Sequence, residues 1–214
     1  MTVSQGISIN DREGFLTYSF SFLLVLLLLT MWLAWLLDVQ PIRTIHWSLQ
    51  DFAMGSLAAL GMMAAFSAFG SVRQQAEDIL GPMLARCHWY DLLVLATFVG
   101  IVEELLFRGL LEQWLSRVDP WFAFFAVNIL FGLLHAVSAW YAVLAAILGG
   151  ILSLLAQIPG EYNLLRPIVA HGLYDYIGFL WVARAIRRRQ VADEFPQDDL
   201  PEKDYGNGKS NSDP

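Results

Sequence analysis

One cysteine, Cys87, stands among 214 residues, which excludes an intramolecular disulfide and any Cys-rich metal motif. It is read as an unmodified thiol. Charge is scarce as well: 15% of the chain is Asp, Glu, Lys or Arg, against about a quarter in soluble domains. No stretch is both basic and aromatic, so nothing points to nucleic acid. No internal repeat is visible, and the His-Glu-x-x-His pattern of zinc-protease helices does not occur. The net charge of −7 is not an acidic binding face either. Residues 190–214 hold seven acids against Lys203 and Lys209, which leaves −5 in that tail. In place of charge the chain has apolar length, with 57% hydrophobic residues, 14% aromatics and a mean hydropathy of +0.51. That is the composition of an integral membrane protein.

Six apolar runs are visible. Phe15 to Leu37 carries no charge. It is too long for a signal-peptide core, and no small-residue cleavage site follows, so it is expected to be a retained first span. Phe52 to Gly70 is a second uncharged run, in which Gly55 and Ala59 would seat a close neighbour. Residues 71–90 read as an interfacial helix broken near Gly81-Pro82. Asp91 to Leu115 is the third span. From Trp121 to Gly160, 40 residues contain no acid, Lys or Arg. At about 1.5 Å per residue they make two bilayer thicknesses, so the stretch must fold back, with a turn expected at 138–141. Pro167 to Ala183 is the sixth span.

The flanks agree with this count. All eight tryptophans lie near span ends, where an indole sits at headgroup level. Arg12, Arg73, Arg86, Arg184, Arg187, Arg188, Arg189, Lys203 and Lys209 fall in one set of loops, and only Arg43, Arg117 and Arg166 in the other. The positive-inside rule then puts both termini in the cytoplasm. The expected fold is an all-α polytopic membrane bundle of about six helices. Its expected organisation is a cytoplasmic segment at 1–14, two spans and an interfacial segment at 15–89, a catalytic bundle at 90–189 and a disordered acidic tail at 190–214.

Three charges fall within six positions in the middle of the third run: Glu103, Glu104 and Arg108. Charge at that depth costs a few kcal/mol per residue, so these residues have a use or face a polar interior. On a helix Glu104 and Arg108 are four apart and pair as a supporting element, while Glu103 points about 100° away and stays free for chemistry. The fourth span carries His135, with Phe131 one turn earlier to wall its ring. The sixth carries His171 and Asp175, whose i, i+4 spacing puts imidazole and carboxyl on one face. Turned inward, these groups are equipment for activating water. His46 and His88 lie in loops and read as ordinary surface residues. Gly149-Gly150 is expected to let helices approach closely.

In order, Glu103-Glu104-Leu-Leu-Phe-Arg108, Phe131-Gly-Leu-Leu-His135 and His171-Gly-Leu-Tyr-Asp175 resemble the motifs of the CPBP family. These are the CaaX-protease and bacteriocin-processing intramembrane endopeptidases, also called Abi. The resemblance covers about residues 90–185. It implies hydrolysis of a peptide bond in a membrane peptide or protein substrate, a prenylated CaaX tail among the options, within the bilayer and near its cytoplasmic side. It also implies the inner (plasma) membrane of a bacterium. By that likeness Glu103 activates water with His135 assisting, and His171 and Asp175 polarise the scissile carbonyl or stabilise the oxyanion. The last position is often Asn in the family. An amide donates a hydrogen bond to an oxyanion and an ionised Asp175 does not, so Asp175 acts protonated, through His171, or on a metal. Glu103, His135, His171 and Asp175 would make an acceptable Zn²⁺ set, but a metal-free, glutamate-dependent enzyme without cofactor is the preferred expectation. Two other classes stay open: a non-catalytic immunity or scaffold protein, and a proton- or ion-coupled transporter.

Overall fold

The computed structural model describes residues 11–158 and 160–194. Among them all regular structure is helical, as expected. Helix α1 spans Arg12–Leu36, α2 Leu49–Ala68 and α3 Gly70–Leu84. A long continuous helix follows, made of α4 (Trp89–Glu104), a π-helical stretch (Leu105–Glu112) and α5 (Gln113–Ser116). Then come α6 (Pro120–Leu134), α7 (Ala139–Gln157) and α8 (Leu165–Glu194).

Local chemistry sets these boundaries. Asp11, Ser48, Asp119 and Ser138 each accept a backbone N–H three residues on, capping α1, α2, α6 and α7. Pro120 follows its cap at the first helical position, where its missing N–H costs nothing. The forty-residue apolar run does turn back, but at 135–138, because the Ser138 cap already starts α7. Pro82 does not break α3. It sits in the last turn, and that turn is held by α8: Gly81 packs so closely on Ile186 that a Cβ would meet it at 2.5 Å. Arg187 also donates to the carbonyls of Ala85 and Cys87, and Arg189 pairs with Glu77.

Among the described residues three helices are long and apolar enough to cross a membrane, α1, α2 and α7, and α6 is a shorter apolar helix. The α4–α5 helix and α8 complete the six and carry the embedded charges. Only 17% of the apolar window of α1 is buried inside the protein. Trp35, Trp47, Trp121 and Trp140 are each more than two-thirds exposed, as side chains facing lipid headgroups would be. Helix α8 continues through Glu194, so residues 190–194, expected in a disordered tail, are helical. The remainder of that tail, 195–214, and residues 1–10 of the expected N-terminal segment lie outside the described residues.

Helix α8 packs chiefly on α2 and α4, and glycine permits both contacts. A Cβ on Gly55 would stand 2.6 Å from the Arg166 carbonyl oxygen, and one on Gly100 would stand 2.8 Å from the Gly172 nitrogen. The second approach brings α4 against α8 at backbone distance one turn before Glu103 and Glu104, beside His171. A Cβ on Gly150 would stand 3.3 Å from Phe124 of α6, and Gly149 lets the same two helices approach, as expected. The space its missing Cβ leaves is taken by the Arg108 guanidinium and the Asn128 side chain.

Candidate active site

Straight spans of equal length would put His135 and His171 toward opposite ends of their helices. Two departures bring them level. Helix α6 has 15 residues, about 22 Å at 1.5 Å per residue, and stops at the depth of Glu103 with His135 as its C-cap. The segment before α8 also turns inward. Asn163 donates back to the Ala156 carbonyl (2.9 Å), Tyr162 donates to the Arg108 carbonyl (2.8 Å), and Leu164 is buried with Leu105 and Ala156. Helix α8 therefore starts inside the bundle, and His171, six residues on, arrives beside Glu104.

Each imidazole is held by Nδ1. His135 Nδ1 lies 2.8 Å from the Phe131 carbonyl oxygen, and His171 Nδ1 lies 2.8 Å from Glu104 Oε1. Neither acceptor can donate, so both Nδ1 atoms carry hydrogen and both Nε2 atoms face the site. They converge on Glu103 Oε2 at 3.7 Å (His135) and 3.9 Å (His171), with Asp175 Oδ2 3.5 Å from His171 Nε2. None of these three contacts has the length and geometry of a hydrogen bond, and the separations suit groups joined through water. Glu103 Oε2 is buried without a hydrogen-bond partner. The side chains of His135 and Glu103 remain 33% and 17% exposed. A largely apolar cavity of about 210 Å³ reaches His135, His171 and Asp175, with Phe66, Leu148 and Phe179 among its walls.

Behind the imidazoles lies a second polar cluster. Arg108 and Glu104 are fully buried and paired at 2.9 Å, the i, i+4 contact the spacing implied. Arg108 also donates to Asn128 Oδ1 (3.1 Å), to the Gly149 carbonyl (2.8 Å) and, at 3.5 Å, to Ser153 Oγ. Phe131 lies between the two clusters. Its ring centroid is 4.3 Å from that of His135, and the Arg108 guanidinium carbon is 4.7 Å from its centre. Phe131 thus walls the His135 ring and also covers the cation.

All four residues assigned to catalysis by sequence thus face one another, and Glu104, Arg108 and Phe131 stand behind them. Sequence reasoning passed over Asn128, Ser153, Glu112, and the Gly100–Gly172 contact. Asn128 and Ser153 are polar residues inside the long apolar run, and Glu112 lies four past Arg108, so each left a readable signal. Among the described residues, no group of three or more His, Cys, Asp or Glu side chains is arranged to hold a metal ion.

Fold and site together define a helical integral membrane protein with acids and imidazoles gathered in an enclosed cluster. Residues 85–177, which contain all three motifs, match the model of a family described as type II CAAX prenyl endopeptidase Rce1-like. Over that stretch the chain is similar to these endopeptidases, in agreement with the resemblance carried by its motifs, and the match supports a membrane protease. No curated protein and no solved structure matches the chain significantly.

Proposed function

We propose that this protein is an intramembrane endopeptidase that cleaves a peptide bond in a membrane-associated substrate, a prenylated CaaX-type tail being the class that the family's description names. The observation that carries the reading is the convergence of two Nδ1-anchored imidazoles on the unpartnered Oε2 of Glu103.

In this mechanism a water molecule lies between Glu103 and the two Nε2 atoms, and the substrate carbonyl enters from the cavity beside His171 and Asp175. Glu103 takes a proton from the water as its oxygen attacks the carbonyl carbon. His135 orients the water and helps pass the proton. His171, as imidazolium with Nδ1 on Glu104, donates Nε2–H to the developing oxyanion, and Asp175 supports that charge state. Collapse of the tetrahedral intermediate breaks the C–N bond, and the proton held at Glu103 goes to the leaving amine. Side chains suffice for every step, so we propose a metal-free, glutamate-dependent enzyme. We also place both termini in the cytoplasm, on the partition of its arginines and lysines, and take the membrane, on the resemblance of the motifs, to be a bacterial plasma membrane.

The test uses purified full-length protein in liposomes with a farnesylated, quenched-fluorophore CaaX peptide, together with proteomics of chain ends in cells. Glu103→Gln is expected to remain folded and lose turnover, and the wild type to keep activity after chelation. Loss of activity on chelation with restoration by Zn²⁺ would overturn the metal-free mechanism. A wild type that cleaves neither the peptide nor any cellular protein would overturn the protease reading. A phenotype that survives Glu103→Gln would then identify a scaffold, and a proton or ion flux lost with it a carrier.

A further inference from the structure

Glu112 is a buried carboxylate that the hydrolytic mechanism does not use, 4% exposed and two turns along the helix from Glu104. Its partners form a directional chain. Ser153, itself fully buried, lies with Oγ 2.6 Å from Glu112 Oε2. A hydroxyl has one hydrogen, and the carboxyl oxygen at that distance takes it. The Ser153 oxygen is then left as an acceptor, and Asn128 Nδ2 (3.0 Å) and Arg108 Nε (3.5 Å) both point to it. With its amino group committed to Ser153 and to the Phe124 carbonyl (2.8 Å), Asn128 must turn Oδ1 toward Arg108 Nη2. The guanidinium is planar, so fixing Nε and Nη2 also fixes Nη1, which pairs with Glu104 Oε1, the oxygen that receives His171 Nδ1–H.

We propose that Glu112 is a positioning residue for the hydrolysis: by taking the Ser153 hydrogen it sets the polarity of the Ser153–Asn128–Arg108–Glu104 chain that orients the His171 ring. Without an acceptor at 112 the Ser153 hydrogen has an alternative, since Asn128 Oδ1 stands 3.3 Å from Ser153 Oγ. That bond draws the Asn128 oxygen away from Arg108 and leaves Nη2 chiefly on the Gly149 carbonyl, so the guanidinium is held less firmly, and Glu104 and His171 lose their alignment. The proposal rests on the protease reading for its kinetic consequence only. The alignment of His171 exists whether or not the protein cleaves peptides.

Glu112→Gln keeps an acceptor oxygen for Ser153 and Glu112→Leu removes it. On the farnesylated peptide, Glu112→Leu is expected to lower kcat about tenfold, the size of one lost hydrogen bond, with KM unchanged within about twofold. Glu112→Gln is expected to restore most of kcat. In ¹⁵N-histidine-labelled protein the His171 ring resonances should shift or split in Glu112→Leu and return in Glu112→Gln, with exposed His88 as the unmoved control. If Glu112→Leu does not fold, Ser153→Ala cuts the chain at its next link and should give the same kcat loss and the same His171 change. Unchanged kcat and unchanged His171 resonances in the acceptor-free variants would overturn the proposal, as would equal losses in Glu112→Gln and Glu112→Leu. If the wild type cleaves nothing while His171 still responds to residue 112, the protease reading fails and the positioning role stands.

Discussion

Two polar clusters sit about one side chain apart in this bundle and are built in opposite ways. Around Arg108 the groups are in contact: five nitrogen–oxygen or oxygen–oxygen pairs between Arg108, Glu104, Asn128, Gly149, Ser153 and Glu112 lie at 2.6–3.1 Å, with two more at 3.3 and 3.5 Å. Around Glu103 the groups face one another at 3.5–3.9 Å, one carboxylate oxygen has no partner, and His135 keeps a third of its surface open. A buried ion pair offsets its desolvation only when its geometry is tight and its remaining hydrogens are satisfied. The first cluster meets that condition nearly everywhere, Glu104 Oε2 being its one orphan atom. The second forgoes that stability and leaves room at its centre for reacting groups. One cluster holds the helices and the other keeps chemistry available, and Glu104 joins them by serving Arg108 and His171 with the same oxygen.

The comparison breaks hardest at Glu103. Glu103→Gln should lower turnover by about 10³-fold, within the range for a lost general base, with thermal unfolding in detergent unchanged, because nothing in the fold leans on its unpartnered oxygen. Arg108→Met should do the reverse. Leaving Glu104 buried without its arginine, with only His171 as partner, costs up to about 3–5 kcal/mol, visible as lower unfolding midpoint and yield, with activity lost as a consequence. A Gly100→Val exchange tests what brings the clusters together. Its Cβ would stand 2.8 Å from the Gly172 nitrogen, so α4 and α8 must part, and a displacement of about 1 Å is expected to cost some 10²-fold in turnover against about 1–3 kcal/mol in stability. The smallest effect is expected at the Arg12–Asp91 pair, which has tight geometry (2.6 Å) but an arginine a third exposed. Arg12→Gln should leave the unfolding midpoint in the same measurement almost unchanged. A large loss there would show that burial does not separate the two kinds of pair.

Much of the site was legible because membrane insertion makes charge expensive. Glu103, Glu104, Arg108, His135, His171 and Asp175 stand out from apolar runs, and their 3.6-residue spacing predicts which share a face. The Glu104–Arg108 contact follows from that spacing alone. Less legible was what Glu104 does. A carboxylate four residues from an arginine reads as a structural ion pair, and nothing local shows that the same oxygen also orients an imidazole 67 residues away. Glu112 was overlooked because it lies near the expected end of a span, where an acid is ordinary. Helicity through Gly81-Pro82 could not be read locally either, since Ile186, Arg187 and Arg189 of α8 hold that turn.

By itself the sequence determined the solvent and the ingredients. Its long uncharged runs make a set of membrane helices, because unpaired peptide groups are intolerable in lipid, and its embedded acids and imidazoles make a reactive site available. Only the tertiary structure decided that these ingredients meet. The short α6, the inward-turned chain before α8 and the glycine contact between α4 and α8 set three helices to one depth. Depth and separation depend on how the helices pack against each other, and no periodicity within a single helix records that.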